Sequence, residues 1–98
     1  QFRERFRKTP LWRPKRRGVL RNAAIALGNK PHRENLDALA LGISDCEPLV
    51  RGASAWALGG HRYHEAKAIL SKSLEQEPLN EIQQEIADAI SRLSLDQQ

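Results

Sequence analysis

The chain has 98 residues, of which 40% are hydrophobic, and this length suits one small domain with a modest core. It carries one cysteine and no long apolar run, which excludes an internal disulfide, a cysteine-ligated metal cluster and a membrane-spanning helix within these residues. The net charge of +4 conceals an asymmetry, because residues 1–33 contain eleven Lys/Arg and one acid, whereas residues 34–98 contain five Lys/Arg and eleven acids. The basic first third indicates a polyanionic partner, of which nucleic acid is the commonest.

The first residues, QFRERFRK, show no signal-peptide pattern, and the chain contains no methionine. We therefore expect a piece of a longer, cytoplasmic protein. Phe2 and Phe6 are four residues apart, a spacing typical of the last turns of a helix with an aromatic stripe.

Two prolines follow this aromatic stripe. Pro10 should end the helix, and Pro14 should prevent its return, so residues 8–14 are predicted to form an extended loop. Trp12 within this loop is either a plug that enters the core or an exposed stacking surface. We favour the plug, because large aromatic side chains usually bury most of their area.

Helical periodicity and proline or glycine punctuation predict five further segments. We expect α-helices over residues 15–27, 33–43, 48–60, 63–75 and 80–93, and no strands. Pro48 suits the first position of the third helix, where its missing N–H costs nothing. The apolar stripe expected on that helix is Leu49, Val50, Ala53, Trp56 and Ala57.

An internal repeat of about 31 residues links these helices. The pattern of residues 19–28 recurs over residues 50–59 and in part over residues 82–90. Residues 41–60 resemble the HEAT-repeat pattern: leucine, an acidic turn with proline, Val-Arg, then Ala-x-Ala-Leu-Gly. The predicted fold is an all-α, short HEAT-like α-solenoid of about five helices in antiparallel pairs, spanning residues 15–98, with residues 1–14 as a connecting helix end and loop.

No catalytic set is visible in the sequence. His61 and His64 lie three residues apart with Glu65 beside them, but a third metal ligand at sensible spacing is absent. Cys46 follows an acidic turn and is interpreted as a small structural residue. We expect neither a metal site nor a cofactor within these residues.

The basic cluster is the candidate functional site. Several cations lie at the start of the first full helix, where they oppose the helix dipole, and Arg17 and Arg21 share one face and repel each other. Both unfavourable interactions become favourable when a phosphate binds, because the helix N–H groups and the guanidinium groups then share one anion. We therefore expect these arginines to be unpaired on an open surface, and we predict a nucleic-acid site made of Lys8, Arg13, Lys15, Arg16, Arg17, Arg21, Asn22 and Lys30.

Arg51 is interpreted differently. In helical repeats an arginine at this place often pairs with an acidic residue of a turn, and Asp45 or Glu47 could serve.

Residues 2–29 resemble the C-terminal region of the bacterial epoxyqueuosine reductase family. The resemblance lies in Phe-Arg-x-x-Phe, Thr-Pro, Arg-x-x-x-Arg-Asn and Ala-Leu-Gly-Asn, with Lys8 where typical members have glycine. It implies an oxidoreductase of queuosine biosynthesis whose upstream catalytic domain binds cobalamin and two [4Fe–4S] clusters. This chain would then be the helical-repeat domain that helps hold the anticodon stem-loop of transfer RNA, with no catalytic machinery of its own.

A second hypothesis remains open. The chain could be a HEAT-repeat protein-interaction scaffold whose basic edge docks onto an acidic protein partner or onto a missing domain of the same protein.

Overall fold

The computed structural model describes the backbone of residues 12–96 and the side chains of residues 16–94. This part of the chain contains helices and no strand, so the predicted all-α class is confirmed. None of the described helices combines the length and apolar content needed to cross a bilayer. The helices are α1 (Trp12–Asn29), α2 (Leu36–Gly42), α3 (Pro48–Leu58), α4 (His64–Gln76) and α5 (Asn80–Asp96), with a 3-10 turn (Arg33–Asn35) before α2.

Helix α1 begins earlier than expected. It starts at Trp12, so the extended loop predicted over residues 8–14 is wrong for residues 12–14. Pro14 lies in the first turn of α1, where a backbone N–H has no partner within the helix and a proline is tolerated. The rest of that loop, the aromatic stripe before it and the side chain of Trp12 lie outside the described residues.

The helices form two layers. Helix α3 packs against α1 on one side and α5 on the other, while α2 packs against α3, and α4 against α5. Helix α3 is therefore central, and each later pair, α2–α3 and α4–α5, repeats the same antiparallel arrangement. This is the geometry of a short α-solenoid.

The core lies between the two layers. Its largest fully buried apolar side chains come from four of the helices, and the full buried apolar set is Ala24, Leu36, Leu39, Ile43, Val50, Ala55, Ala57, Leu58, Ala66, Leu70, Ile86, Ala89 and Leu93. The stripe predicted for α3 is wrong in part, because Leu49 is 45% and Trp56 37% exposed. Both side chains lie on the solvent side of α3, while Leu58 points into the core instead.

Two glycines allow the helices of one layer to approach closely. A Cβ atom on Gly28 would lie 2.9 Å from the Cα atom of Ala57, and one on Gly59 would lie 3.0 Å from the Cβ atom of Ala89. None of the described glycines has a positive φ, so close approach, rather than a left-handed turn, is what requires them. The α1–α3 and α3–α5 contacts thus each depend on a glycine that lets the two helices approach closely.

We predict that Gly28→Ala destabilises the chain and Gly18→Ala does not. The new methyl group at position 28 would press on backbone that cannot move aside, at a cost of about 1–3 kcal/mol. Gly18 has nothing within 4 Å of its added Cβ atom, so alanine there should stabilise α1 by roughly 0.5–1 kcal/mol. Urea unfolding of both variants gives the two free energies. Equal effects would contradict the close approach.

Candidate nucleic-acid interface

Arg16 is not free, contrary to the expectation of unpaired arginines. Its Nη2 atom donates to Oδ1 of Asp45 at 2.6 Å, and its Nη1 atom donates to Oδ2 at 3.3 Å. Asp45 lies in the turn before α3 and also accepts the backbone N–H of Glu47 at 2.9 Å. Arg16 therefore fastens α1 to the turn that begins α3.

The ion pair shifts the titration of both partners. The hydrogen bond from Arg16 lowers the pKa of Asp45 below its ordinary value of 3.8, burial opposes this, and the N–H of Glu47 lowers it further. The same hydrogen bond raises the pKa of Arg16 above its ordinary value. Both groups are therefore charged at neutral pH.

The other members of the predicted site differ in their surroundings. Arg17 is half-exposed, and its Nη1 atom lies 4.0 Å from Oε1 of Glu47, so it too has an acidic neighbour. Arg21 is exposed and forms no ion pair or hydrogen bond with any side chain the structure describes. Asn22 and Lys30 are exposed.

Three further residues of the predicted site cannot be placed. Lys8 lies outside the described residues, and so do the side chains of Arg13 and Lys15, although their backbone belongs to α1.

A cleft lies on the solvent side of the layer formed by α1, α3 and α5, which we call the three-helix face. Its volume is about 360 Å³, within the range of roughly 300–1,000 Å³ usual for small-ligand sites. Arg21 stands on its α1 side and Glu85 on its α5 side. Between them the lining is apolar: Ile25, Pro48, Leu49, Gly52, Ala53, Trp56 and Ile82.

Charge changes sign across the three-helix face. Arg17 and Arg21 are one turn apart on α1, and the described solvent side of α3 carries no charged residue. On α5, Glu81, Glu85 and Asp88 follow the i, i+4, i+7 spacing that places them on one side, and the cation Arg92 continues this spacing at i+11. The sequence prediction missed this acidic stripe as part of the site.

Arg51 has the structural role expected of it but a different partner. Its Nε and Nη2 atoms donate to the two carboxylate oxygens of Glu77 at 2.8 and 2.9 Å. Its Nη1 atom donates to the backbone carbonyls of Asp45 and Cys46. The predicted pairing with the carboxylate of Asp45 or Glu47 is therefore wrong. Glu77 is also an acidic turn residue, but it belongs to the next turn along the chain.

Of the two histidines discussed above, His61 lies in the loop before α4, and His64 is the first residue of α4. His61 is buried, and its Nδ1 atom lies 2.9 Å from the carbonyl oxygen of Ala57. Because a carbonyl oxygen only accepts, Nδ1 is the donor, which leaves Nε2 to accept from the side-chain amide of Asn35 at 3.4 Å. The described residues contain no group of three or more His, Cys, Asp or Glu side chains placed to hold a metal ion.

The stacked helix pairs and the repeated close approaches define a helical-repeat solenoid. The chain belongs to the HEAT-repeat family: the family model described as HEAT repeats matches residues 14–91. Domains of this family are not typically catalytic.

One curated relative gives a more limited comparison. The Geobacillus stearothermophilus protein named "Uncharacterized protein in gldA 3'region" is 36% identical over 95 residues, which cover 95% of this chain and 44% of that protein. The chain therefore spans less than half the length of that relative. No solved structure matches the chain at a significant level.

The Arg16–Asp45 pair predicts a pH-dependent loss of stability. Because folding lowers the pKa of Asp45, its contribution is present above the unfolded-state pKa and is lost as the pH falls through the folded-state pKa. Asp45→Asn should cost about 1 kcal/mol at pH 7, since Arg16 is partly screened by water. Parallel urea titrations should show the two chains converging between about pH 5 and pH 2. A difference that persists unchanged at pH 2 would contradict the charged pair.

The buried Arg51–Glu77 pair predicts a larger effect. Arg51→Met should destabilise the chain by about 3–5 kcal/mol, because Glu77, only 3% exposed, would keep a buried charge without its partner. The matched control is Arg33→Met, which removes an equivalent guanidinium from Glu65, whose side chain is 55% exposed. Water can solvate Glu65, so the free energy of unfolding, measured by urea titration, should fall much less in the control than in Arg51→Met. Comparable losses would show that burial does not decide the effect.

Proposed function

We propose that this HEAT-repeat chain is an RNA-binding segment of a longer protein, with RNA phosphates lying along α1. The observation that carries the proposal is Arg21, an exposed guanidinium without a partner among the described side chains, at the edge of an open cleft. A protein shaped only for stability would place an acid nearby. Arg17, one turn earlier, is half-exposed and adds a second charge.

The acids of α5 determine the orientation of the RNA. Glu81, Glu85 and Asp88 would repel phosphates from the far side of the three-helix face. A backbone that crosses the whole face is therefore disfavoured, and one that runs along α1 is favoured. Such contacts position the RNA without reading its sequence.

Arg16 has a secondary part in this proposal. A guanidinium has five N–H donors, and Asp45 accepts two of them, so Arg16 could still contact a phosphate. The carboxylate of Asp45 would reduce the attraction. Lys8, Arg13 and Lys15 precede it in the same basic segment, and together with Asn22 and Lys30 they complete the proposed contact set.

The RNA that we propose is the anticodon stem-loop of transfer RNA. The support for this is the resemblance of residues 2–29 to the C-terminal region of epoxyqueuosine reductases. On this proposal the chain lies in the cytoplasm and presents transfer RNA to a catalytic domain upstream in the same protein. Cobalamin and the two [4Fe–4S] clusters would belong to that domain.

The proposal predicts that Arg17→Gln/Arg21→Gln weakens stem-loop binding and flattens its salt dependence. Loss of two phosphate contacts should reduce the slope of log K against log salt by about 1.4–1.8. The control is Lys67→Gln/Lys72→Gln, which removes the same charge from α4 in the other layer. The affinity and its salt dependence are measured for each variant by fluorescence anisotropy of a labelled stem-loop between about 50 and about 300 mM salt. Added salt shortens the Debye length over this range and so weakens the phosphate contacts.

Two outcomes would count against this proposal. If both double variants lose affinity equally, only net charge matters and α1 is not the site. If the parent chain does not bind the stem-loop at low salt, the protein-scaffold hypothesis gains, and an acidic protein partner becomes the better candidate.

A further inference from the structure

We propose that the cleft on the three-helix face binds one unpaired nucleotide, with its base against Trp56 and its phosphate at Arg21. This inference rests on the proposed RNA function and deepens it, because it adds a base-binding site to a backbone-binding edge. Three observations support it. The ring of Trp56 is half-exposed and packs against α1, the cleft has a cation, an apolar surface and a carboxylate in that order, and Arg21 has no partner among the described side chains.

Trp56 is held as a fixed aromatic surface. Its 37% exposure is high for a tryptophan on the central helix of a solenoid. One edge of the ring rests against Gly28, where a Cβ atom would lie 2.6 Å from Cζ3 of the ring. The absence of a side chain at position 28 is therefore what lets the ring lie against α1. Its backbone carbonyl also accepts a hydrogen bond from Nη2 of Arg92 at 3.4 Å.

The cleft presents three kinds of chemistry in one order. A cation stands at α1, an apolar floor lies on α3, and a carboxylate stands at α5. A nucleotide has the complementary order: a phosphate, then a flat ring, then, on adenine, cytosine and guanine, an exocyclic amino group that donates hydrogen bonds. Aromatic rings bind bases by stacking, and a carboxylate accepts from an amino group but repels phosphate.

The part of α3 that lines the cleft has small side chains beside Trp56. Gly52 and Ala53 both line the cleft, and Ile82 of α5 packs close to Gly52, where a Cβ atom would lie 3.2 Å from Cδ1 of Ile82. A double-stranded helix could not place a base there, since its bases are stacked and paired. The ligand class is therefore a single-stranded nucleotide, as in a loop.

Trp56 fluorescence provides the test. In the Trp12→Phe background Trp56 is the only tryptophan, since the chain has two. We expect tetraadenylate RNA to quench its emission and an abasic oligomer of the same phosphate number to bind about tenfold more weakly without quenching. Tetrauridylate, which lacks the amino group, should bind several-fold more weakly than tetraadenylate.

Three variants separate the contributions of the ring and the carboxylate, with circular dichroism and urea unfolding confirming that each folds. Trp56→Leu keeps the apolar volume and should lose about tenfold in affinity for tetraadenylate, while Trp56→Phe should retain most of it. Glu85→Gln should narrow the preference for tetraadenylate over tetrauridylate. The two Trp56 variants should not alter binding of the abasic oligomer by more than about twofold, whereas Glu85→Gln should strengthen it slightly because it removes a charge that repels phosphate.

Failure of the base site can be distinguished from failure of the proposed RNA-binding function. If RNA binds, Arg17→Gln/Arg21→Gln weakens it, and Trp56 emission is unchanged, the base site is overturned while the proposed function stands. The cleft would then be available to an apolar protein segment. If no oligonucleotide binds at low salt, both proposals fail together.

Discussion

The buried pair of Arg51 and Glu77 is the contact on which the stacking of the later repeats depends. It joins three stretches at once, because Arg51 on α3 binds the carboxylate of Glu77 and also two backbone carbonyls in the turn before α3. Glu77 in turn accepts the N–H of Leu79 at 3.2 Å, just before α5 begins. The position of α5 along α3 is thereby fixed by charged hydrogen bonds.

The same arrangement recurs one repeat earlier in an altered form. Asp45 corresponds to Glu77, and each acid accepts an N–H two residues further along the chain. The arginine that serves Asp45 is Arg16, which lies one helical turn before the position that corresponds to Arg51. This displacement gives Arg16, a member of the basic cluster, a structural task. Arg21, one repeat before Gly52, is then left without an acidic partner among the described side chains.

The helices could be predicted from local sequence signals. The exposure of side chains and the choice of ion-pair partners could not, because they depend on residues far apart in the sequence. Pro48 and Pro78 set the boundaries of α3 and α5 within a residue or two, because each proline acts on its own neighbours. Pro14 misled the prediction, since the same residue is compatible with a loop or with the first turn of a helix. The exposure of Trp56 could not be predicted from its apolar type, because a core and an open binding face use the same side chains. The partner of Arg51 lies 26 residues away, and no periodicity indicated which of three turn acids it would choose.

The fold arranges the charge asymmetry of the sequence along one axis, from basic residues on α1 to acidic residues on α5. Because successive repeats place α1, α3 and α5 side by side, the change from a basic first third to an acidic remainder becomes a gradient across one face. A uniformly basic face would attract any polyanion and hold it in many registers. On the proposed function, a face that is cationic at the α1 edge and mainly anionic at the α5 edge would attract the phosphates to one side and leave the rest of the ligand over α3. The acids of α5 would then weaken the overall attraction while restricting the ligand to one orientation.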